Sequence, residues 1–171
     1  ATIRGTGGHG AWPHFANDPL VLSAHFLLAA QNIVSRRLDP LESGVVSLAT
    51  IHGGTAANVI PETVDITGTM RSFTPHTRQL LQDALRRASK VVDALGGSVD
   101  LTIIEGYPPT VNDETATKVA FNGLEKLLGE DRVFETEPLM AGEDFSYMLN
   151  QVPGCYLTLG VRGADWEQLY P

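Results

Sequence analysis

The sequence predicts an α+β fold, a four-stranded antiparallel sheet with two helices on one face, from three observations. Two segments open with a capping residue followed by proline and continue as apolar stripes of helical period. Two others alternate apolar and polar side chains as half-buried strands do. The elements follow one another as strand, helix, strand, strand, helix, strand through Ile104, the order of a split βαβ sandwich.

Thr2 to Gly5 is the first strand candidate, and it runs into Gly5-Thr6-Gly7-Gly8-His9-Gly10, too glycine-rich for regular structure. Asp18 caps a helix with Pro19 at its first position, where the missing N–H does no harm. Leu20, Ala24, Leu27, Leu28, Val34 and Leu38 form its expected apolar face, and Arg36-Arg37 stand where the macrodipole favours cations. Gly44 to Ile51 and Thr63 to Phe73 are the middle strands, with the glycine loop Gly53 to Asn58 between them. Thr74-Pro75 opens the second helix, whose stripe from Leu80 to Leu95 stops at Gly96-Gly97, and Val99 to Ile104 closes the sheet.

Pro108-Pro109 marks a boundary between residues 1–110 and residues 111–171. The second part begins with a helix capped by Asp113 and carrying Ala116, Val119, Ala120, Leu124, Leu127 and Leu128. A strand near Arg132 to Thr136, a helix from Glu143 to Asn150 and a strand Cys155 to Gly160 are expected after it, an α/β remnant with too few strands to cover its own sheet. Trp166, Leu169 and Tyr170 are apolar groups close to the last residue, and no charged-then-apolar leader precedes Ala1, so both ends look cut.

At 171 residues with 43% hydrophobic side chains, the chain can bury a real core. Its net charge of −8 repels phosphate backbones and anionic lipid, so nucleic acid is not an expected partner. The most apolar stretch, Leu20 to Ala30, is broken by Ser23 and His25 and falls short of a membrane span. Cys155 is the single cysteine, which excludes internal disulfides and fits a cytoplasmic location.

Several residues could carry chemistry. Gly5 to Gly10 satisfies G-x-G-x-x-G, yet Trp12-Pro13 follows and no helix starts before Pro19, so no helix N-terminus faces a pyrophosphate. His25 and His76 fall within helices and read as packing or surface residues, whereas His9, His14 and His52 lie beside glycines or in loops, where functional groups concentrate. No H-E-x-x-H, paired cysteines or G-x-S-x-G is present, and Cys155 reads as a small core residue. His9, Asn58 and Arg71 remain as substrate-binding candidates, the arginine able to fork onto a carboxylate and the asparagine to hold an amide or carbonyl oxygen. By spacing alone the plainer readings stand first: a surface ion pair for Arg71 and a left-handed turn residue for Asn58.

Four segments resemble, in order, those of the M20 metallopeptidases and amidohydrolases, most closely the hippurate and auxin-conjugate hydrolase branch. Gly7-Gly8-His9-Gly10-Ala11-Trp12-Pro13-His14 is similar to that branch's G-G-H-x-A-x-P-H. Ile51 to Pro61 resembles its I-x-G-G-x-A-x-N-V-I-P, Gly68 to Phe73 its G-T-x-R-x-F, and Met140-Ala141-Gly142-Glu143-Asp144-Phe145 its G-x-E-D-F segment.

The resemblance implies that residues 1–110 are a ferredoxin-like lid that mediates homodimerisation and that residues 111–171 belong to the C-terminal part of a catalytic domain. It implies a metal-dependent amidohydrolase acting on N-acyl amino acids or small peptides. His9 would stabilise the oxyanion, often across the dimer, while Asn58 and Arg71 would contact substrate, with Glu143 close to the active site among the substrate-binding residues. The family's ligands for a divalent metal, zinc, manganese or similar, match positions before Ala1 and after Pro171. The resemblance therefore implies a fragment that binds no metal itself. The competing expectation is a non-catalytic dimerisation or ligand-binding module.

Overall fold

The computed structural model describes residues 1–161. They form two compact units, Ala1–Gly106 with Leu139–Ala141, and Tyr107–Pro138 with the residues from Gly142 onward. Trp166, Leu169 and Tyr170 lie outside the described residues.

In the first unit the order is β1 (Thr2–Arg4), β2 (Gly8–His9), a 3-10 turn (Pro13–Phe15), α1 (Pro19–Arg37), β3 (Gly44–Gly53), β4 (Val59–Ile60), β5 (Thr63–Ser72), α2 (Pro75–Ala94) and β6 (Ser98–Asp100). Four strands make an antiparallel sheet in the order β3-β5-β1-β6, and β2 pairs with β4 separately. The outward sheet face is polar: the Thr2 hydroxyl donates to Asp65 at 2.6 Å, and the Thr50 and Thr67 hydroxyls meet at 2.6 Å. The inward face presents Ile3, Val64 and Ile66 to both helices, which also pack on each other.

Both helices start where cap and proline predict. Asp18 accepts from the Leu20 N–H at 2.8 Å, and Thr74 from the Thr77 N–H at 3.0 Å. Helix α2 buries Leu81, Ala84, Leu85 and Val92, all within the predicted stripe. The expected face of α1 is corrected: Leu22, Phe26, Ala30 and Ile33 are buried, whereas Leu20, Leu28 and Val34 are exposed. This helix is apolar around most of its circumference, so periodicity selects no face and the fit of Phe26 against the sheet decides.

Pairing between β3 and β5 passes from Leu48 opposite Gly68 to Thr50 opposite Thr67, leaving Ala49 as an extra residue in a bulge. A side chain at position 68 would collide with the Ser47 carbonyl oxygen, so the close backbone approach beside the bulge requires glycine. The last strand is shorter than the expected Val99 to Ile104, because its partner β1 offers only three residues for pairing.

The second unit contains α3 (Glu114–Leu128), a 3-10 turn (Glu130–Arg132) and α4 (Ser146–Leu149). Asp113 caps α3 as expected, accepting from the Ala116 N–H at 2.8 Å. The strands expected at 132–136 and 155–160 do not form among the described residues, and the helix expected from Glu143 to Asn150 is a single turn. Extended segments need a neighbour for their N–H and C=O groups, and these two have no strand beside them.

Candidate functional site

The two glycine loops of the first unit are joined backbone to backbone. Gly8 and His9 pair with Ile60 and Val59, and the Gly10 N–H donates to the Asn58 carbonyl at 2.8 Å. A side chain on Gly7 would press into the Ile60 carbonyl oxygen, 2.9 Å from where its Cβ would sit. The segment expected to be irregular thus contains a short ladder, and the residues that allow the close approach are the glycines that argued against regular structure.

That ladder brings His9 and Asn58 together. His9 is exposed, its ring 5.0 Å from that of Trp12, and its Nδ1 accepts the Ala11 N–H at 3.1 Å. An accepting Nδ1 carries no proton, so in the neutral ring the hydrogen is on Nε2 and points away as a donor. Asn58 is exposed, and among the described residues only glycines have positive φ, which removes the left-handed turn reading. A groove of about 360 Å³ beside the ladder is lined by His52, Gly53, Gly54, Thr55, Val59 and Asp65 among others, with His52 opposite Asp65 in the sheet. His14 stands apart in the 3-10 turn with its ring 4.1 Å from Phe15.

Arg71 is not part of this arrangement. It lies opposite Val45 at the far end of β5, half-buried, and makes no ion pair with a carboxylate among the described residues. From Thr63 to Arg71 the strand runs about 27 Å at 3.3–3.4 Å per residue. Arg71 thus stands most of a strand length from the end of β5 that follows the His9 and Asn58 ladder.

Glu143 belongs to the second unit, in the turn before α4. Its Oε1 accepts the Phe145 N–H at 3.2 Å, its Oε2 the Tyr156 hydroxyl at 2.9 Å, and its carbonyl the Ser146 hydroxyl at 2.6 Å. The Phe145 N–H, then hydrogen bonds from Asp144 and Tyr156, hold its carboxyl below the usual range. Asp144 is displaced upward by its hydrogen bond to Glu143 and by that group's charge, and the Tyr156 phenol rises for the same two reasons. Asn112 fixes Tyr156 by accepting its N–H at 2.8 Å and donating to its carbonyl at 3.0 Å. Nothing in the local pattern marks Asn112 or Tyr156, which are 44 residues apart.

No group of three or more His, Cys, Asp or Glu side chains among the described residues could hold a metal ion. A catalytic zinc site takes three protein ligands, so these residues do not fit one. No described helix is long and apolar enough to cross a membrane.

Residues 7–170 match the family described as peptidase family M20/M25/M40. The chain is 42% identical over 166 residues to an N-acetyldiaminopimelate deacetylase from Leuconostoc citreum, covering 94% of this chain and 42% of the relative. It is 35% identical over 171 residues to thermostable carboxypeptidase 1 of Saccharolobus solfataricus, covering 99% of this chain and 43% of the relative. A crystal structure of an aminohydrolase candidate from methicillin-resistant Staphylococcus aureus superposes with a TM-score of 0.77 at 34% identity, covering 90% of this chain and 40% of that one. The chain thus spans about two fifths of the length of the relatives it matches. With the paired glycine loops, the mixed sheet-and-helix unit and a match over nearly all its length, the chain belongs to peptidase family M20/M25/M40.

Proposed function

We propose that the protein acts as a metal-dependent amidohydrolase on N-acyl amino acids or small peptides, and that this chain supplies oxyanion-stabilising and substrate-binding groups. The observation that carries the reading is the His9 geometry: a ring locked by Ala11, presented on a ladder between two glycine loops, with Nε2–H directed outward. In amide hydrolysis, water adds to the carbonyl carbon, the carbonyl oxygen gains negative charge, and the C–N bond then breaks with a proton passing to the departing amine. His9 donates to that oxygen as the charge develops, and Asn58, one backbone hydrogen bond from Gly10, binds the amide. Arg71 forks onto a free substrate carboxylate. Glu143, kept ionised and fully engaged by Phe145, Asp144 and Tyr156, holds the turn before α4 and lies near substrate in the same reading. The divalent metal has no ligand set among the described residues and would be held by residues of a longer chain. The free Cys155 fits a cytoplasmic location within the same proposal.

The 27 Å between the ladder end of β5 and Arg71 supports a homodimer in which one site takes His9 from one subunit and Arg71 from the other. The ferredoxin-like lid reading supports the same assembly: β3 is a ten-residue strand at the sheet edge, open to pairing with a second copy. The test uses the complete protein. His9→Ala should lower kcat by roughly a hundredfold to a thousandfold with KM nearly constant, because the oxyanion exists mainly in the transition state. Mixing His9→Ala subunits with Arg71→Ala subunits should restore activity, since one site of each mixed dimer keeps both groups. No recovery on verified mixing would mean that each site draws its histidine from its own chain, and an unchanged kcat in His9→Ala would reduce His9 to a loop residue.

A further inference from the structure

Charge is distributed unevenly over this acidic protein. Helix α1 carries Arg36 and Arg37 and no carboxylate, and α2 carries Arg78, Arg86, Arg87 and Lys90 against Asp83 and Asp93. Six cations against two carboxylates leave the helix layer with an excess of four, in a chain of net charge −8. At about 0.1 M salt the Debye length is near 10 Å, so a ligand at this layer feels its local charge more than the distant acidic groups.

Three of the six cations line one groove. Between α1 and α2 lies a depression of about 390 Å³, floored by Ala29, Ile33, Ala84 and Ala88 and rimmed by Arg36, Arg37 and Arg87. Asp83 and Asp93 are engaged by Arg86 and Lys90, at 3.7 and 3.1 Å, and so do not neutralise the rim. Arg37 and Arg87 have no carboxylate partner among the described residues, and Arg36 gives one Nη1 hydrogen bond to the Ser35 carbonyl at 2.8 Å. Placing Arg36 and Arg37 in the last turn of α1 suits the helix dipole, but the dipole does not account for Arg87 in the middle of α2 on the same groove.

We propose that the groove between α1 and α2 binds a small polyanion, a molecule with two or more phosphate or carboxylate groups, through Arg36, Arg37 and Arg87. Planar guanidinium forks recognise phosphate and carboxylate oxygens in pairs, and three forks around one groove suit several anionic groups on one molecule. The length fits a small ligand, since Ala29 to Arg37 spans about 12 Å along the helix. The volume is at the low end of the roughly 300–1,000 Å³ of small-molecule sites. Its floor of alanines offers no deep pocket for the large anchors that protein partners use, which disfavours a docked protein segment.

The test is a titration of the complete, isotope-labelled protein at constant ionic strength with sodium tripolyphosphate, and separately with citrate, following arginine Nε–H and backbone amide resonances. Saturable shifts confined to Arg36, Arg37, Arg87 and the neighbouring turns are expected with at least one probe, and the probe that saturates identifies phosphate or carboxylate as the source. Arg37→Glu and Arg87→Glu should each weaken that binding by at least about tenfold, as loss of a charge-assisted hydrogen bond implies, while Lys118→Ala leaves it unchanged. A rise in Tm of the unmutated protein with the same probe supplies a reading that needs no variant. Shifts of equal size at Lys118 and Lys126, linear shifts without saturation for both probes, or unaltered binding in the charge-reversed variants would overturn the proposal.

Discussion

Glu143 and Asp144 are adjacent carboxyls whose mutual interaction moves their pKa values apart, Glu143 down and Asp144 up. The folded pKa of Glu143 is lowered, so its contribution to stability is present above the unfolded value and lost as pH falls through the folded one. That of Asp144 is raised, so its contribution is present below the unfolded value and lost as pH rises through the folded one. The hydrogen-bonded turn is therefore complete between the lowered value of Glu143 and the raised value of Asp144. Carbon-detected carboxyl titration should find Asp144 titrating above the ordinary aspartate range and Glu143 below the ordinary glutamate range. In Asp144→Asn the amide keeps a donor toward Glu143, so the high-pH loss of the turn should disappear and the low-pH loss remain. Ordinary titration of both groups would show that the link between them is not formed.

Helix α1 separates apolar composition from burial. Leu22 is 2% exposed and Leu28 68% exposed, six residues apart on a helix rich in apolar side chains on both sides. Leu22→Ala should cost about 2–5 kcal/mol, since it opens a cavity among Phe26, Ile33 and the sheet. Leu28→Ala should stay within about 0.5 kcal/mol, because the side chain is already in water. Urea unfolding of both variants checks the pair, and equal losses would mean that Leu28 is covered in solution. Helix α2 needs no such arbitration, because its charged face and apolar stripe are distinct, and its cap at Thr74 and its stop at Gly96, φ 82°, agree with that stripe.

The two units differ in how much they bury. The eleven buried hydrophobic residues among those described all belong to the first, whereas the second, among its described residues, buries only Ser146. Val119, Leu127, Phe134 and Met148 are exposed there, and α3 has no buried residue. Backbone hydrogen bonds with few apolar contacts around them open at low cost. Hydrogen exchange on this chain should therefore find the α2 and β5 amides strongly protected and the α3 amides exchanging several orders of magnitude faster, as sub-global opening implies. Comparable protection in both units would mean that the apolar side chains of α3 are covered in solution.

Local chemistry made α2, the caps at Asp18, Thr74 and Asp113, and the alternation in β5 legible in the sequence, because each depends on residues within a turn or two of one another. The same holds for the motifs that mark family membership and for His9 and Asn58 as candidates. Tertiary structure decided which face of α1 is buried, where β3 bulges, and that the loops of His9 and Asn58 meet while Arg71 lies a strand length away. It also joined Glu143 and Asn112 to Tyr156 across the second unit. These outcomes depend on contacts between residues distant in the chain, where several apolar faces or pairings satisfy the local pattern equally and only mutual packing and backbone hydrogen bonding select one.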